Sequence, residues 1–291
     1  MSFNPGKSSV VVATLFRDNE AYIPYYLQCC QSMEESLPMF TFEYLFLTNN
    51  NSDRTAELLQ TQTSLDNVKV RVEHFDDAHL SIPRVIRLAQ YREMQLSDIR
   101  ASSADYVILI DTEILFNGQM IKRLFKSFEE KQIDCITPFT INKIGLYHDT
   151  FALVDNDGVY MKPSENSLKT IWKRYVHNND SSLLVEVQSA FAGIFICKRL
   201  HFENSSLTYL SDKRGCEHLI FNKSLRQMDL RIFVNNATTP ITCQARDYSY
   251  YAQWLKTGET DFRGRISRIG NLLNLSAKDM KFELKKRLKI K

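Results

Sequence analysis

Apolar residues along the chain fall into short runs and helical stripes, divided by polar turns, and strand and helix patterns take turns. Ser8 to Leu15 (Ser-Ser-Val-Val-Val-Ala-Thr-Leu) reads as a first strand, with Phe16-Arg17-Asp18-Asn19-Glu20 as the loop after it. Ala21 to Ser36 places Ile23, Tyr26, Leu27 and Cys30 on one helical face. Glu43 to Thr48 is a second strand. It runs into Asn49-Asn50-Asn51-Ser52-Asp53-Arg54-Thr55 and a helix over Ala56 to Thr61, because Asn, Ser and Asp favour turns and helix N-caps. Val68 to His74 is a third strand, and Pro83 to Ile99 an amphipathic helix bearing Arg84, Arg87 and Arg92. Tyr106 to Ile110 is apolar throughout, as a strand buried on both faces would be.

A helix over Gly118 to Lys131 and a short strand over Asp134 to Pro138 come next, then a loop-rich stretch from Asn142 to Asp157. Leu183 to Cys197 reads as two strands broken near Gly193. Gly215-Cys216-Glu217-His218 opens a helix to Met228, Leu230 to Val234 is a last strand, and Tyr248 to Lys256 a last helix. The alternation over the first 110 residues calls for an α/β fold: a mostly parallel central sheet with helices on both faces. In such sheets ligands bind beyond the carboxyl ends of the strands.

The strand Tyr106 to Ile110 ends abruptly in Asp111-Thr112-Glu113. Residues two apart in an extended segment point the same way, so both acids could hold one hard divalent cation, which prefers oxygen ligands and bridges to phosphates. The plain alternative is a strand that ends in a solvated acidic turn.

The chain has 291 residues, 44% hydrophobic and 24% charged, which allows one large α/β domain or two small ones. The six cysteines (Cys29, Cys30, Cys135, Cys197, Cys216, Cys243) show no CxxC spacing, which argues for a reducing compartment and against a zinc site or disulfide scaffold. The opening residues lack the basic flank and apolar core of a signal peptide, and no run approaches a membrane span. The expected location is the cytoplasm, or the cytosolic face of a membrane. Net charge is +3, of which residues 263 to 291 hold +8, leaving −5 for the rest. Apolar residues at helical spacing among these bases (Ile266, Ile269, Leu272, Leu273, then Phe282, Leu284, Leu288) fit an amphipathic tail on an anionic membrane; packing on the body or on another subunit is the alternative. An acidic body without a recognised binding motif argues against nucleic acid as a partner.

Taken together, Thr14-Leu15-Phe16-Arg17-Asp18-Asn19-Glu20, the loop Asn49 to Thr55, the helix with Arg84 and Arg87, and Ile-Asp-Thr-Glu-Ile in place of Asp-x-Asp resemble the nucleotide-sugar-dependent glycosyltransferases of the GT-A fold. The order of motifs is most similar to the branch with fungal and capsule mannosyltransferases. Val-Gln-Ser-Ala-Phe-Ala-Gly and Cys-Glu-His-Leu-Ile-Phe-Asn extend the likeness into the second half. Two departures stand out: Glu113 takes the place of an Asp, and Asn fills the second loop where acids are common.

The resemblance implies a GT-A-like domain over 1–260, with a donor-binding half over 1–117 and an acceptor-binding half over 118–260, and a basic helical tail over 261–291. It implies that Thr14, Phe16, Arg17 and Asp53 line a nucleotide pocket, with Arg84 near the diphosphate. Asp111 and Glu113, with His218, would hold Mn2+ or Mg2+. Glu217 is the candidate general base, with Asp149 as the other candidate acid, although an acid at a helix start is also stabilised there as a simple cap. The implied activity is transfer of a hexose from a nucleotide-diphosphate sugar to a hydroxyl of a glycan or lipid-linked acceptor in surface polysaccharide synthesis. Whether the sugar carbon inverts or is retained stays open. Two other readings remain: an inactive relative that binds nucleotide or tethers a complex at a membrane, and a phosphotransferase of the haloacid dehalogenase type.

Overall fold

A computed structural model describes residues 7–61, 64–142, 147–160, 184–210, 216–236 and 238–242. All of them fall in one compact unit, Met1–Thr260. The helix expected over Tyr248 to Lys256, the basic tail over 261–291, Gly215 and Cys243 lie outside the described residues.

The elements run β1 (Ser8–Phe16), α1 (Ile23–Ser36), β2 (Phe40–Asn49), α2 (Thr55–Thr61), β3 (Val68–Glu73), α3 (Asp77–Leu80), α4 (Arg84–Ala101), β4 (Tyr106–Ile110), β5 (Ile114–Leu115) and α5 (Gly118–Glu130). There follow β6 (Cys135–Pro138), β7 (Ile141–Asn142), β8 (Val154–Asp155), β9 (Leu184–Ser189), β10 (Ile194–Lys198), a 3-10 turn (Arg199–Glu203), α6 (Glu217–Gln227), β11 (Ile232–Asn235) and β12 (Ile241–Thr242). A nine-stranded sheet has the order β3-β2-β1-β4-β10-β6-β11-β9-β8, and β5-β12-β7 form a small second sheet.

The half from β3 to β4 is parallel, as the alternation predicts. Beyond β4 the expectation of a mostly parallel sheet gives way. β10 runs antiparallel between β4 and β6, and β9 runs antiparallel to β11, so the complete sheet is mixed. The two strands expected on either side of Gly193 both form, but they are not partners of each other. Past residue 117 the strands are two to six residues long, too short for an apolar pattern to reveal their direction.

Strand parity decides what each helix meets. On β1 and β2 the even-numbered side chains face α1: the Thr14 hydroxyl and the Tyr26 phenol share a hydrogen bond, and the Phe16 ring meets Tyr26 at 5.3 Å and Phe46 at 5.1 Å. Leu15 and Asn49, of the other parity, line a cavity together with residues of α4. On β4, Val107 and Leu109 pair in register with Val11 and Ala13, which carries the same parity to Asp111 just past the strand end. α4 packs on β1, β2 and α6.

α1 packs instead on α5, whose stripe Met120, Ile121, Leu124, Phe125 and Phe128 is buried and whose first turn is capped by Asn117, accepting from the Met120 N–H at 3.0 Å. The two helices meet where α5 begins. A Cβ on Gly118 would lie 1.9 Å from the backbone oxygen of Ser32, so only a glycine lets the chains come this close. Gly118→Ala is therefore expected to lower stability by about 1–3 kcal/mol in urea unfolding, the usual cost of overpacking. The same change at the neighbouring exposed Gln119 should fall within about 0.5 kcal/mol of wild type.

Candidate active site

The strand ends of β1, β2 and β4, the first half of α4, the segment around residues 148–160 and the start of α6 enclose a cavity of about 770 Å³. The loop after β1, which gives Asp18 to the cavity, is tied to the loop after β2. Asp18 accepts from the Ser52 N–H at 2.6 Å, Asn51 accepts from the Asp18 N–H at 3.1 Å, and the Asn50 side chain makes a two-way bond with the backbone of Phe75, at 2.8 and 3.0 Å. Asp18 and Asn50 hold positive φ (52° and 39°), which these short polar residues tolerate better than branched ones. Asn50 and Asn51 thus shape the turn. Asn49 lines the cavity, and its buried Oδ1 has no hydrogen-bond partner among the described residues.

Burial of β4 (Val107, Ile108 and Ile110 at 0% exposure) brings Asp111 to the cavity edge. There the Asp111 N–H donates to the carbonyl of Gly193 at 2.9 Å. Gly193 sits at φ 75°, and a Cβ on it would meet the Ile114 side chain at 2.4 Å, so a glycine is needed for the turn before β10 to reach this strand end. One oxygen of Asp111 accepts from Arg92 Nη2 at 2.5 Å. Glu113 lines the same cavity, and burial, then the nearby Asp111 charge, pushes its pKa up to about 7.

Across the cavity, α6 starts at Glu217, whose carboxyl is raised above its ordinary range mainly by burial, against the pull of Arg92 and Arg84. His218 stacks on Phe191 with ring centres 3.6 Å apart, and burial together with Arg92 depresses its pKa. Asp149 accepts from the backbone N–H groups of Ala152 and Ala192 at 3.3 and 3.2 Å. Burial outweighs these bonds and the neighbouring His148, raising Asp149 to about 6.

Of the residues singled out by sequence, Phe16, Arg17, Arg84, Asp111, Glu113, Asp149, Glu217 and His218 line this cavity. Thr14 does not. It is fully buried one turn of the pleat further into β1 than Phe16, with its hydroxyl bonded to Tyr26 of α1. Asp53 also lies outside the cavity lining: its two oxygens accept from the backbone N–H groups of Thr55 and Glu20, both at 2.9 Å, and fix the loop before α2. The three-ligand set of Asp111, Glu113 and His218 is not assembled either. Among the described residues no group of three His, Cys, Asp or Glu side chains is placed to hold a metal, and the His218 ring is taken up by Phe191.

Asp111 and Glu113 by themselves still suit a cation. Burial first, and the Asp111 charge second, raise the pKa of Glu113; a bound cation would offset both, and magnesium-like ions are commonly held by one or two carboxylates plus substrate phosphates.

Arg92, His148, Tyr160 and Phe191 belong to the cavity but were not singled out. For Arg92 a signal existed: Arg84, Leu88 and Arg92 recur every four residues, which puts them on one helical face. Phe191 lies in the Val-Gln-Ser-Ala-Phe-Ala-Gly stretch that carries part of the likeness, whereas His148 and Tyr160 come from a turn-rich segment without a local signal.

The sequence matches no family model and no curated protein. The fold does have neighbours among solved structures, and it is the GT-A-like glycosyltransferase fold. A crystal structure of GalNAc-T7 with UDP, GalNAc and Mn2+ superposes with a TM-score of 0.50 at 12% identity, covering 82% of this chain and 44% of that one. A crystal structure of S. aureus TarS 1-349 gives 0.50 at 12% identity, covering 89% and 69%. This chain thus spans less than half the length of the GalNAc-T7 chain. At such identity the likeness establishes the fold.

The Glu113 shift has a measurable consequence without any cation present. The unfolded carboxyl titrates near 4.5 and the folded one about 7, so the folded state holds the extra proton between them and loses stability as pH rises through that window. Glu113→Gln removes this loss. Urea unfolding should show the variant gaining on wild type between pH 5 and 8, by at most about 3 kcal/mol at 1.36 kcal/mol per pKa unit. An unchanged difference between the two pH values would contradict the assigned environment.

Proposed function

We propose that this protein is a glycosyltransferase, moving a sugar from a nucleoside-diphosphate donor to a hydroxyl group of a glycan or glycoconjugate. What carries the reading is the meeting in one cavity of the Asp111 and Glu113 pair, the Arg84 and Arg87 pair, and the acids Glu217 and Asp149, on a GT-A-like fold. A departing diphosphate is an anion that needs charge-assisted hydrogen bonds, and guanidinium groups match phosphate geometry. Arg84 and Arg87 supply them from the first turn of α4; the buried Nε of Arg87 has no hydrogen-bond partner among the described residues. A manganese or magnesium ion held by Asp111 and Glu113 would supply Lewis-acid stabilisation of the developing charge on the leaving group.

Glu217 is the proposed general base. Its raised proton affinity, brought about by burial, suits a carboxylate that must take a proton near neutral pH. As the acceptor oxygen bonds to the anomeric carbon, the bond from that carbon to the diphosphate breaks and the hydroxyl proton passes to Glu217. Asp149 is the second candidate for that proton. Residues 1–117 form the donor half of this proposal and residues 118–260 the acceptor half. A hexose donor, a role in surface polysaccharide, affinity to the mannosyltransferase branch and a cytosolic, membrane-apposed tail are finer proposals that rest on sequence features alone.

A thermal-shift screen of UDP, GDP, CDP and dTDP with and without manganese tests the reading. One nucleotide should stabilise the protein, and more strongly with metal. Asp111→Ala should remove the metal-dependent part. Glu217→Gln should leave nucleotide binding intact while lowering transfer about 100-fold or more, the range of a lost general base. Nucleotide binding without donor turnover in wild type would point instead to an inert nucleotide-binding relative; no stabilisation by any of the four would remove the proposal.

A further inference from the structure

Arg92 is 3% exposed, an unusual position for a side chain that always carries charge. It sits two turns along α4 from Arg84 and is held on several sides. Nη2 donates to Asp111 Oδ1 at 2.5 Å, Nη1 donates to Gln95 Oε1 at 3.1 Å, and the guanidinium carbon lies 5.4 Å from the centre of the Phe191 ring. Asp111 is therefore gripped at two points, by the Gly193 carbonyl through its own N–H and by Arg92 through one carboxylate oxygen. Its side chain is 25% exposed. Oδ1 is committed to Arg92 and Asp111 lines the cavity, so Oδ2 is the carboxylate oxygen left without a duty among the hydrogen bonds of the described residues.

From this geometry we infer that Arg92 is a positioning residue for a cation site at Asp111: it commits Oδ1 and so presents Oδ2 as a single, oriented ligand. This rests on the reading of Asp111 and Glu113 as a cation-holding pair. The physical reason is the one that governs the surroundings of metal ligands generally. A carboxylate free to rotate must be ordered when the ion binds, whereas one already hydrogen-bonded is held in a binding geometry beforehand. Arg92 never touches the ion or the substrate in this account. Because it comes from α4, the helix that also carries Arg84 and Arg87, the same rigid element would orient the carboxylate and present cations to the phosphates.

The test uses the full chain and the nucleoside diphosphate that gives the largest manganese-dependent thermal shift. Two affinities are measured by calorimetry for wild type, Arg92→Met and Arg92→Lys: that of the nucleotide with the metal chelated away, and that of manganese with the nucleotide saturating. Arg92→Met should weaken manganese about 10-fold or more, as loss of a partner to a metal ligand commonly does. Metal-free nucleotide affinity should stay at the wild-type value. Arg92→Lys keeps the charge without the rigid fork and should show a smaller but measurable loss of manganese affinity.

A role in folding alone would lower the melting temperature without changing manganese affinity, and that outcome overturns the inference while leaving Asp111 as a ligand. If Arg92→Met does not fold, Arg92→Lys decides by the same comparison, and wild-type manganese affinity in it overturns the inference. A wild-type protein that shows no response to manganese with any nucleotide removes the cation site and this role together.

Discussion

Removing a charged side chain from water is costly unless an opposite charge goes with it, and this site is arranged around one such pairing. β4 is buried because it lies between β1 and β10 in a nine-stranded sheet, and its end brings Asp111 against the side of α4. Arg92, nearly sealed from solvent, meets it there. Arg92, with 4% of its side chain exposed, depends on that partner, while Asp111 keeps 25% exposed at the cavity edge. A buried pair that loses one partner is typically destabilised by about 3–5 kcal/mol, so the junction of sheet and helix that forms the cavity is also a point on which the fold depends. Gly193 closes the arrangement from the other half of the sheet, with its carbonyl on the Asp111 N–H.

Around this pairing the cavity has an uneven distribution of charge. Three of the arginines, Arg84, Arg87 and Arg92, come from one helix and Arg17 from the loop after β1, while the acids come from separate parts of the chain: Asp18 from that same loop, Asp111 and Glu113 after β4, Asp149 from the turn-rich segment, and Glu217 from the start of α6. Burial raises the proton affinity of Glu113, Asp149 and Glu217, since a half-enclosed carboxylate loses more hydration than its neighbours restore. Acids of this kind, near a set of arginines, fit a site that handles an anionic leaving group on one side and a proton on the other. His218 lines the same cavity, stacked against Phe191 and 3.6 Å from Glu217, with its pKa lowered by burial and Arg92.

The expectations drawn from local pattern and those that needed pairing fared differently. The apolar run Tyr106 to Ile110, the helix bearing three arginines and the acidic turn were plain in the residues, and so was the parallel first half of the sheet. Thr14 and Asp53 were placed in the pocket by their neighbourhood in the chain. Thr14 lies deeper in β1, bonded to Tyr26 of α1, and two backbone N–H groups engage Asp53. His218 follows Glu217 directly, and its ring stacks on Phe191 with Nε2 3.6 Å from Glu217 Oε1, so it sits beside the proposed base and not in a three-ligand set with Asp111 and Glu113.

By itself, then, the chain determined the elements whose periodicity is internal to them: strands that must be buried, helices with one apolar face, and the acid pair that ends a buried strand. Which side chains share a cavity was decided by the tertiary structure, because it depends on strand order and register. β10 enters antiparallel beside β4 and brings Gly193 and Phe191 with it, and α4 turns Arg92 inward onto Asp111. Spacing within α4 could place Arg92 on the face of Arg84, but not show that this face meets Asp111, and the encounter of Gly193 with β4 depends on a sheet order that no short window of residues encodes.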